Sequence, residues 1–107
     1  MVAGGREWHA GAIGIVAARL CEEFQRPAAV VSLDAAGGGR GSIRAAAAYD
    51  VMAALDVCAP CLRRYGGHAR AGGFSLRPGA FESFRTAFAR ACHEQAGAPF
   101  LRPVLTL

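Results

Sequence analysis

Arg64-Tyr65-Gly66-Gly67-His68-Ala69-Arg70-Ala71-Gly72-Gly73-Phe74 is the stretch of this sequence with the clearest chemical potential. Adjacent glycines give the backbone access to positive φ and expose its N–H groups with no Cβ in the way. Successive N–H groups so arranged form a concave nest for an anion. His68 adds a directed donor, and arginines stand on both sides at 64 and 70. The ordinary alternative is a tight turn between a helix and a strand with His68 capping it, because glycine pairs are common punctuation in loops. Both readings stand at this point.

The second chemical feature is Gly41-Ser42-Ile43-Arg44, preceded by Arg40. An arginine can form a bidentate, charge-assisted pair with phosphate oxygens, and a serine hydroxyl can donate to the same group. The aspartates at 34, 50 and 56 and the histidines at 9, 68 and 93 form no cluster along the chain. A two-metal hydrolytic centre requires such a cluster. Cys58-Ala59-Pro60-Cys61 has the spacing of half a zinc site, with His68 or His93 as conceivable further ligands, but no second Cys-x-x-Cys accompanies it. It also lacks the strand-before, helix-after setting of a redox dithiol. The four cysteines are expected to be reduced, metal-free packing residues.

These residues need elements to position them. Residues 12–24 carry Ile13, Val16, Ala17, Leu20, Cys21 and Phe24 at helical spacing, with Arg19, Glu22 and Glu23 opposite. Gly14 costs this helix about 1 kcal/mol relative to alanine, which close packing on a sheet would explain. After Pro27, residues 28–33 form an unbroken apolar run, the pattern of a strand buried on both faces. With Met1–Ala3 as a preceding strand, this predicts a βαβ opening. Residues 40–44 read as a strand of small and polar residues, a composition that often serves a surface or a ligand rather than a core. The alanines at 45–48 favour helix by propensity, yet they lie between a strand and Asp50, a good N-cap, so the stretch is read as irregular. Helices are predicted at about 51–56 and 59–64, a strand near 71–76, and a final helix over 80–95 with Phe81, Phe84, Phe88, Ala91 and Gln95 inward. The fold class is therefore α/β: a mixed β-sheet with flanking helices.

At 107 residues and 53% apolar content the chain is one small domain with ample core, and 19% charged residues exclude a disordered tail. All twelve Lys/Arg positions are arginine and the net charge is +4, which agrees with a polyanionic partner. Arginine-only usage beside abundant alanine and glycine also fits a GC-rich coding sequence. No run reaches the roughly 20 apolar residues that span a bilayer, and residues 1–10 lack the pattern of a signal peptide, so a cytoplasmic protein without membrane contact is expected.

Taken in order, Trp8-His9-Ala10-Gly11-Ala12-Ile13-Gly14-Ile15-Val16-Ala17-Ala18-Arg19-Leu20, Gly41-Ser42-Ile43-Arg44 and the Gly66-Gly67-His68 block resemble the DHH-associated domain of RecJ-type phosphoesterases over nearly the whole chain. The Trp-His-Gly block is the specific part. The resemblance implies a substrate-binding domain, residues 1–97, of a 5′ to 3′ single-stranded-DNA exonuclease acting in DNA repair and recombination. Residues 98–107 are then a linker toward an oligonucleotide-binding domain. It implies substrate contacts at Ser42, Arg44, Gly66, Gly67 and His68, with Arg40 and His9 as secondary candidates and Trp8 as a base-stacking or packing residue. It also implies that Mn²⁺ or Mg²⁺ and the catalytic aspartates belong to a separate DHH domain of a longer chain. On that reading this segment holds single-stranded DNA and has no catalytic or metal site of its own. The sequence departs from the family at Ala45, where the family has serine, and at Ala46-Ala47-Ala48, where it has Ile-Pro-Gly. Two other readings are carried: a short-oligonucleotide or cyclic-dinucleotide phosphodiesterase, and a non-enzymatic nucleic-acid-binding module like the related domain of alanyl-tRNA synthetases.

Overall fold

The computed structural model describes residues 2–6, 10–35, 38–46, 49–96 and 104–106. Trp8 and His9, and with them the candidate contacts at the opening block, lie outside the described residues. The chain opens with strand β1 (Val2–Arg6), helix α1 (Ala10–Phe24) and strand β2 (Ala28–Leu33). β1 and β2 are parallel neighbours, so the expected βαβ unit is present. Strand β3 (Gly39–Arg44) returns antiparallel to β2 and is followed by the short helix α2 (Val51–Cys58). A 3-10 turn (Ala59–Cys61) leads into strands β4 (Leu62–His68) and β5 (Ala71–Leu76), and then helix α3 (Phe81–Ala96). A last strand, β6 (Val104–Thr106), lies within the stretch read as a linker and pairs parallel with β1. The six strands form one mixed sheet in the order β4-β5-β3-β2-β1-β6.

Strand alternation divides this sheet into two unlike faces. On one, Val31, Ile43, Phe74 and Leu76 meet α2 and α3 in the main core, with Leu55, Phe84 and Phe88 fully buried. The Phe74 and Phe84 rings lie 4.5 Å apart and those of Phe84 and Phe88 5.6 Å apart. Gly41 is opposite Phe74, and a Cβ there would fall within the ring, so this glycine is a packing requirement. On the other face, Ile13 and Ala17 of α1 pack on Val30, with Val16 and Leu20 alongside. β2 is thus covered on both sides, as its unbroken apolar run requires. Phe24, assigned to the inner stripe by spacing, is exposed at the end of α1.

One predicted element is wrong. The helix expected over 59–64 is a single 3-10 turn followed by strand, and the Gly-Gly-His segment lies in that strand rather than in a helix-to-strand loop. Pro60 sits where a helix would tolerate it, but Leu62 to His68 pair antiparallel with β5, and the Arg77 N–H donates to the Cys61 carbonyl at 2.9 Å. Tertiary pairing outweighs a local preference here. Asp50 caps α2 as expected, its Oδ1 accepting from the Ala53 N–H at 3.1 Å. Gln95 of α3 reinforces that start. The Asp50 N–H donates to Gln95 Oε1 and Gln95 Nε2 donates to the Asp50 carbonyl, both at 2.8 Å.

Cys58 and Cys92 are buried between these helices, whereas Cys21 and Cys61 are partly exposed. Burial, with Cys61 and Cys92 nearby, pushes the Cys58 thiol up to about 12, and burial pushes Cys92 up to about 11. From an ordinary 9.0, a rise to about 12 lowers the reactive thiolate fraction at pH 8 by about a thousandfold. Iodoacetamide treatment of the native chain followed by peptide mass spectrometry is expected to modify Cys61 while leaving Cys58 and Cys92 intact. Native labelling of Cys58 as fast as in urea would contradict this packing.

Candidate functional site

Because Gly41 and Ile43 face the core, Arg40, Ser42 and Arg44 project from the opposite face of β3. Cross-strand neighbours share a face, so the register extends this set. Arg44 is opposite Ala71, which is opposite His68. Ser42 is opposite Gly73, which is opposite Gly66, and Arg40 is opposite Ser75, which is opposite Arg64. The face therefore carries three cross-strand rows. α1 covers the β2 side of it, and the β5–β4 side is open.

Arg44 is half-buried and held along its own strand, Nη1 donating to Ser42 Oγ at 3.2 Å and to the Ile43 carbonyl at 2.9 Å. Above it passes Gly14 of α1. A Cβ at Gly14 would stand 3.6 Å from both the Arg44 guanidinium and Ser42 Oγ, so the glycine expected to pack on the sheet packs on these two side chains.

His68 is exposed at the end of β4. Its Nδ1 accepts from the Arg70 N–H at 3.3 Å, which leaves Nε2–H as the outward donor. The Ala69–Arg70 turn is itself fixed, the Arg70 carbonyl accepting from the Ala45 N–H at 2.9 Å and the Ala69 carbonyl from the Val51 N–H at 2.8 Å. These bonds tie the turn bearing His68 to the residue after Arg44 and to the start of α2. Arg44 and His68 stand two strands apart, about 10 Å between backbones, near enough for both side chains to converge on one anion above Ala71.

The two neighbouring glycines have different reasons to be glycine. Gly67 has φ +145° and faces the core side opposite Gly72, where a Cβ would collide with the Ala71 carbonyl oxygen and stand 2.6 Å from Gly72 Cα. Gly66 lies on the open face, and among the described residues nothing beyond its chain neighbours stands within 4 Å of where its Cβ would be. Across the strand, a Cβ at Gly73 would meet only the Gly41 carbonyl, at 3.8 Å. Among the described residues no contact requires these two positions to be bare, and together they make an open floor on this face. The structure thus brings Ser42, Arg44, Gly66, His68 and Arg40 to one face and places Gly67 on the other. The glycine pair is a strand segment and not a nest. Ala45 is buried in the core and points away from this face, so a serine there would not add a hydroxyl to it.

Sequence reasoning missed Gly73 and Ile13 as parts of this face. Gly73 becomes visible only through its register with Ser42 and Gly66. Ile13 was assigned to the core, where it packs, while it also walls the open concavity beside α1.

The family model described as "DHHA1 domain" matches residues 1–94. The chain belongs to the DHHA1 domain family. This DHHA1 domain is 40% identical over 105 residues to the single-stranded-DNA-specific exonuclease RecJ of Dickeya dadantii, a match covering 92% of the chain and 18% of that relative. It is 39% identical over 88 residues to the protein of the same name from Escherichia coli, covering 77% of the chain and 15% of that relative. Among solved structures, RecJ from Thermus thermophilus in complex with Mg²⁺ superposes with a TM-score of 0.76 at 30% identity, over 100% of this chain and 16% of that one. An exonuclease RecJ bound to manganese gives 0.76 at 32% identity, over 94% and 24%. The chain is therefore a RecJ-type DHHA1 domain spanning less than a quarter of these relatives. Both of those structures hold a metal ion, but the described residues of this DHHA1 domain present no group of three His, Cys, Asp or Glu able to hold one. The described residues do not fit such a centre. No described helix is long and apolar enough to cross a membrane.

Proposed function

We propose that this domain holds the DNA strand for a RecJ-like 5′ to 3′ single-stranded-DNA exonuclease of the cytoplasm, acting in DNA repair and recombination, with Mn²⁺- or Mg²⁺-dependent hydrolysis carried out by a DHH domain of the same longer chain. The observation that carries this reading is the open sheet face on which Arg44, Ser42 and His68 stand beside the bare backbone of Gly66 and Gly73. Arginine, hydroxyl and imidazole donors suit phosphate oxygens, and a floor without side chains admits the sugar-phosphate chain closely. The RecJ relatives named above support DNA as the substrate. The domain's own role is binding and positioning, and DHH-domain groups would meet the reacting phosphate across a cleft.

The test is binding of fluorescently labelled oligothymidylate to the 107-residue chain by anisotropy, against a blunt duplex of equal length. Single strands are expected to bind more tightly. With Arg40, Arg44 and Arg64 on the face, log K is expected to fall with log salt at a slope of about −2. The pure chain is expected to release no nucleotides from single-stranded DNA with Mn²⁺. Equal or tighter duplex binding, preferential binding of a cyclic dinucleotide, or metal-dependent nucleotide release would refute the assignment.

A further inference from the structure

Besides the row formed by Arg44 and His68, the open face carries a second basic row. Arg40 on β3 and Arg64 on β4, both exposed, stand on either side of Ser75 of β5. Two strand spacings separate their backbones, about 10 Å, so both guanidiniums can reach one anion above Ser75, whose hydroxyl is a third donor. A concavity of about 400 Å³, a size common for small-ligand pockets, is lined by both arginines together with Ser75, Ser42, Gly66 and Gly73. Neither Arg44 nor His68 lines it. Among the described residues no aspartate or glutamate lines it either, so no carboxylate there competes for the two guanidiniums.

The separation of the two rows decides what can span them. Arg40 and Arg44 are four residues apart on β3, and Arg64 and His68 are four apart on β4. That is about 13 Å along the sheet, twice the spacing of neighbouring phosphates on a single nucleic-acid strand. One nucleoside is too short for this span, whereas two nucleosides with their three phosphates match it. Midway lies the row Ser42, Gly73 and Gly66, which carries no charge and has two members without side chains. Ser42 Oγ accepts from Arg44 Nη1, so the hydroxyl's own proton is free to be donated outward. The face thus presents a charged row, an uncharged row that a phosphate can cross at close range, and a second charged row.

We propose that Arg40, Ser75 and Arg64 form a second phosphate site, two phosphates along the strand from the one held by Arg44 and His68. The phosphate between them crosses above Gly66 and Gly73 within reach of the Ser42 hydroxyl. The bound strand then runs along β3 and β4 rather than across them, and two nucleosides separate the charged rows. This rests on the reading that the face binds single-stranded nucleic acid.

The matching probe is the thymidine dinucleotide with a phosphate at each end, pTpTp. Its binding to the 107-residue chain is followed by NMR chemical-shift titration at fixed ionic strength. The comparison ligand is thymidine 3′,5′-bisphosphate, whose two phosphates flank a single nucleoside. The dinucleotide is expected to bind about tenfold more tightly, a gain of the size of one charge-assisted contact. Arg40→Ala and Arg64→Ala are each expected to remove most of that advantage. Arg90→Ala on α3, which takes the same charge from the other side of the sheet, should keep it. Spectra of each variant establish that it is folded. An advantage absent in the native chain, surviving in either Arg40→Ala or Arg64→Ala, or lost as fully in Arg90→Ala overturns the second site. If oligothymidylate still binds the native chain in that event, the single-strand reading survives. Failure of the dinucleotide, the bisphosphate and oligothymidylate alike to bind overturns the two together.

Discussion

Gly67→Ala is expected to destabilise the fold by about 3 kcal/mol or more, while Gly66→Ala leaves stability within about 0.5 kcal/mol of the native chain. At Gly67 two costs combine. The backbone sits at φ +145°, a conformation rarely open to residues with a Cβ, and the new methyl would press on the Ala71 carbonyl and Gly72 Cα, backbone atoms with little room to yield. At Gly66 the methyl would enter open space on an exposed strand, where alanine also loses less backbone entropy on folding than glycine. The functional order is the reverse. Gly66→Ala is expected to weaken oligothymidylate binding severalfold, because it raises the bare floor beside Ser42 and Gly73. Urea denaturation of the two variants, with anisotropy on the folded one, separates these effects. Similar stability losses at both positions would mean that the pair is a structural turn after all.

Arg44→Ala is expected to weaken binding of single-stranded oligothymidylate at least tenfold. A hydrogen bond to a charged group contributes about 1.5–3 kcal/mol, and this guanidinium is prearranged. It is held by Ser42 Oγ and the Ile43 carbonyl beneath Gly14, so little side-chain freedom is lost when a phosphate arrives. The salt slope should become shallower by about 0.7, the value for one phosphate contact to a single strand. Lysine should restore the slope but only part of the affinity, since it keeps the charge and loses the planar pair of donors. An Arg44→Ala protein that binds oligothymidylate with native affinity and slope would remove Arg44 from the site.

The parts of this molecule that were legible in its sequence are those whose neighbours are local or whose burial is uniform. α1 follows from the spacing of Ile13, Val16, Ala17 and Leu20, β2 from an apolar run with no polar break, and the start of α2 from Asp50. β4 was not legible. Leu62-Arg63-Arg64-Tyr65-Gly66-Gly67-His68 has no apolar alternation, because only Leu62 is buried, and its strand character comes from β5 alone. Tyr65 is an exception of another kind, since its hydroxyl donates to Asp56 Oδ1 at 2.9 Å and ties the strand to α2. Ser42, Arg44 and His68 could be named from their chemistry and from family resemblance. That Gly66 and Gly67 have opposite roles could not, because the difference lies in which face each presents. Arg64 and Gly73 likewise join the site through cross-strand register, which no sequence spacing encodes.

β4 is the edge of the sheet, paired on one side only, and its residues beyond Leu62 are all exposed. The strand that carries Gly66, His68 and Arg64 thus contributes only Leu62 to the core. Segments of this kind occupy the low end of a protein's range of local opening free energies. A ligand bridging β3 and β4 would quiet that strand as well as contact it, and part of the intrinsic attraction would be spent on restraining its motion. Measured affinity for the isolated domain will then fall below the sum of its contacts. Any surface that steadied this edge from outside would tighten the hold on a ligand bridging β3 and β4 without touching that ligand at all.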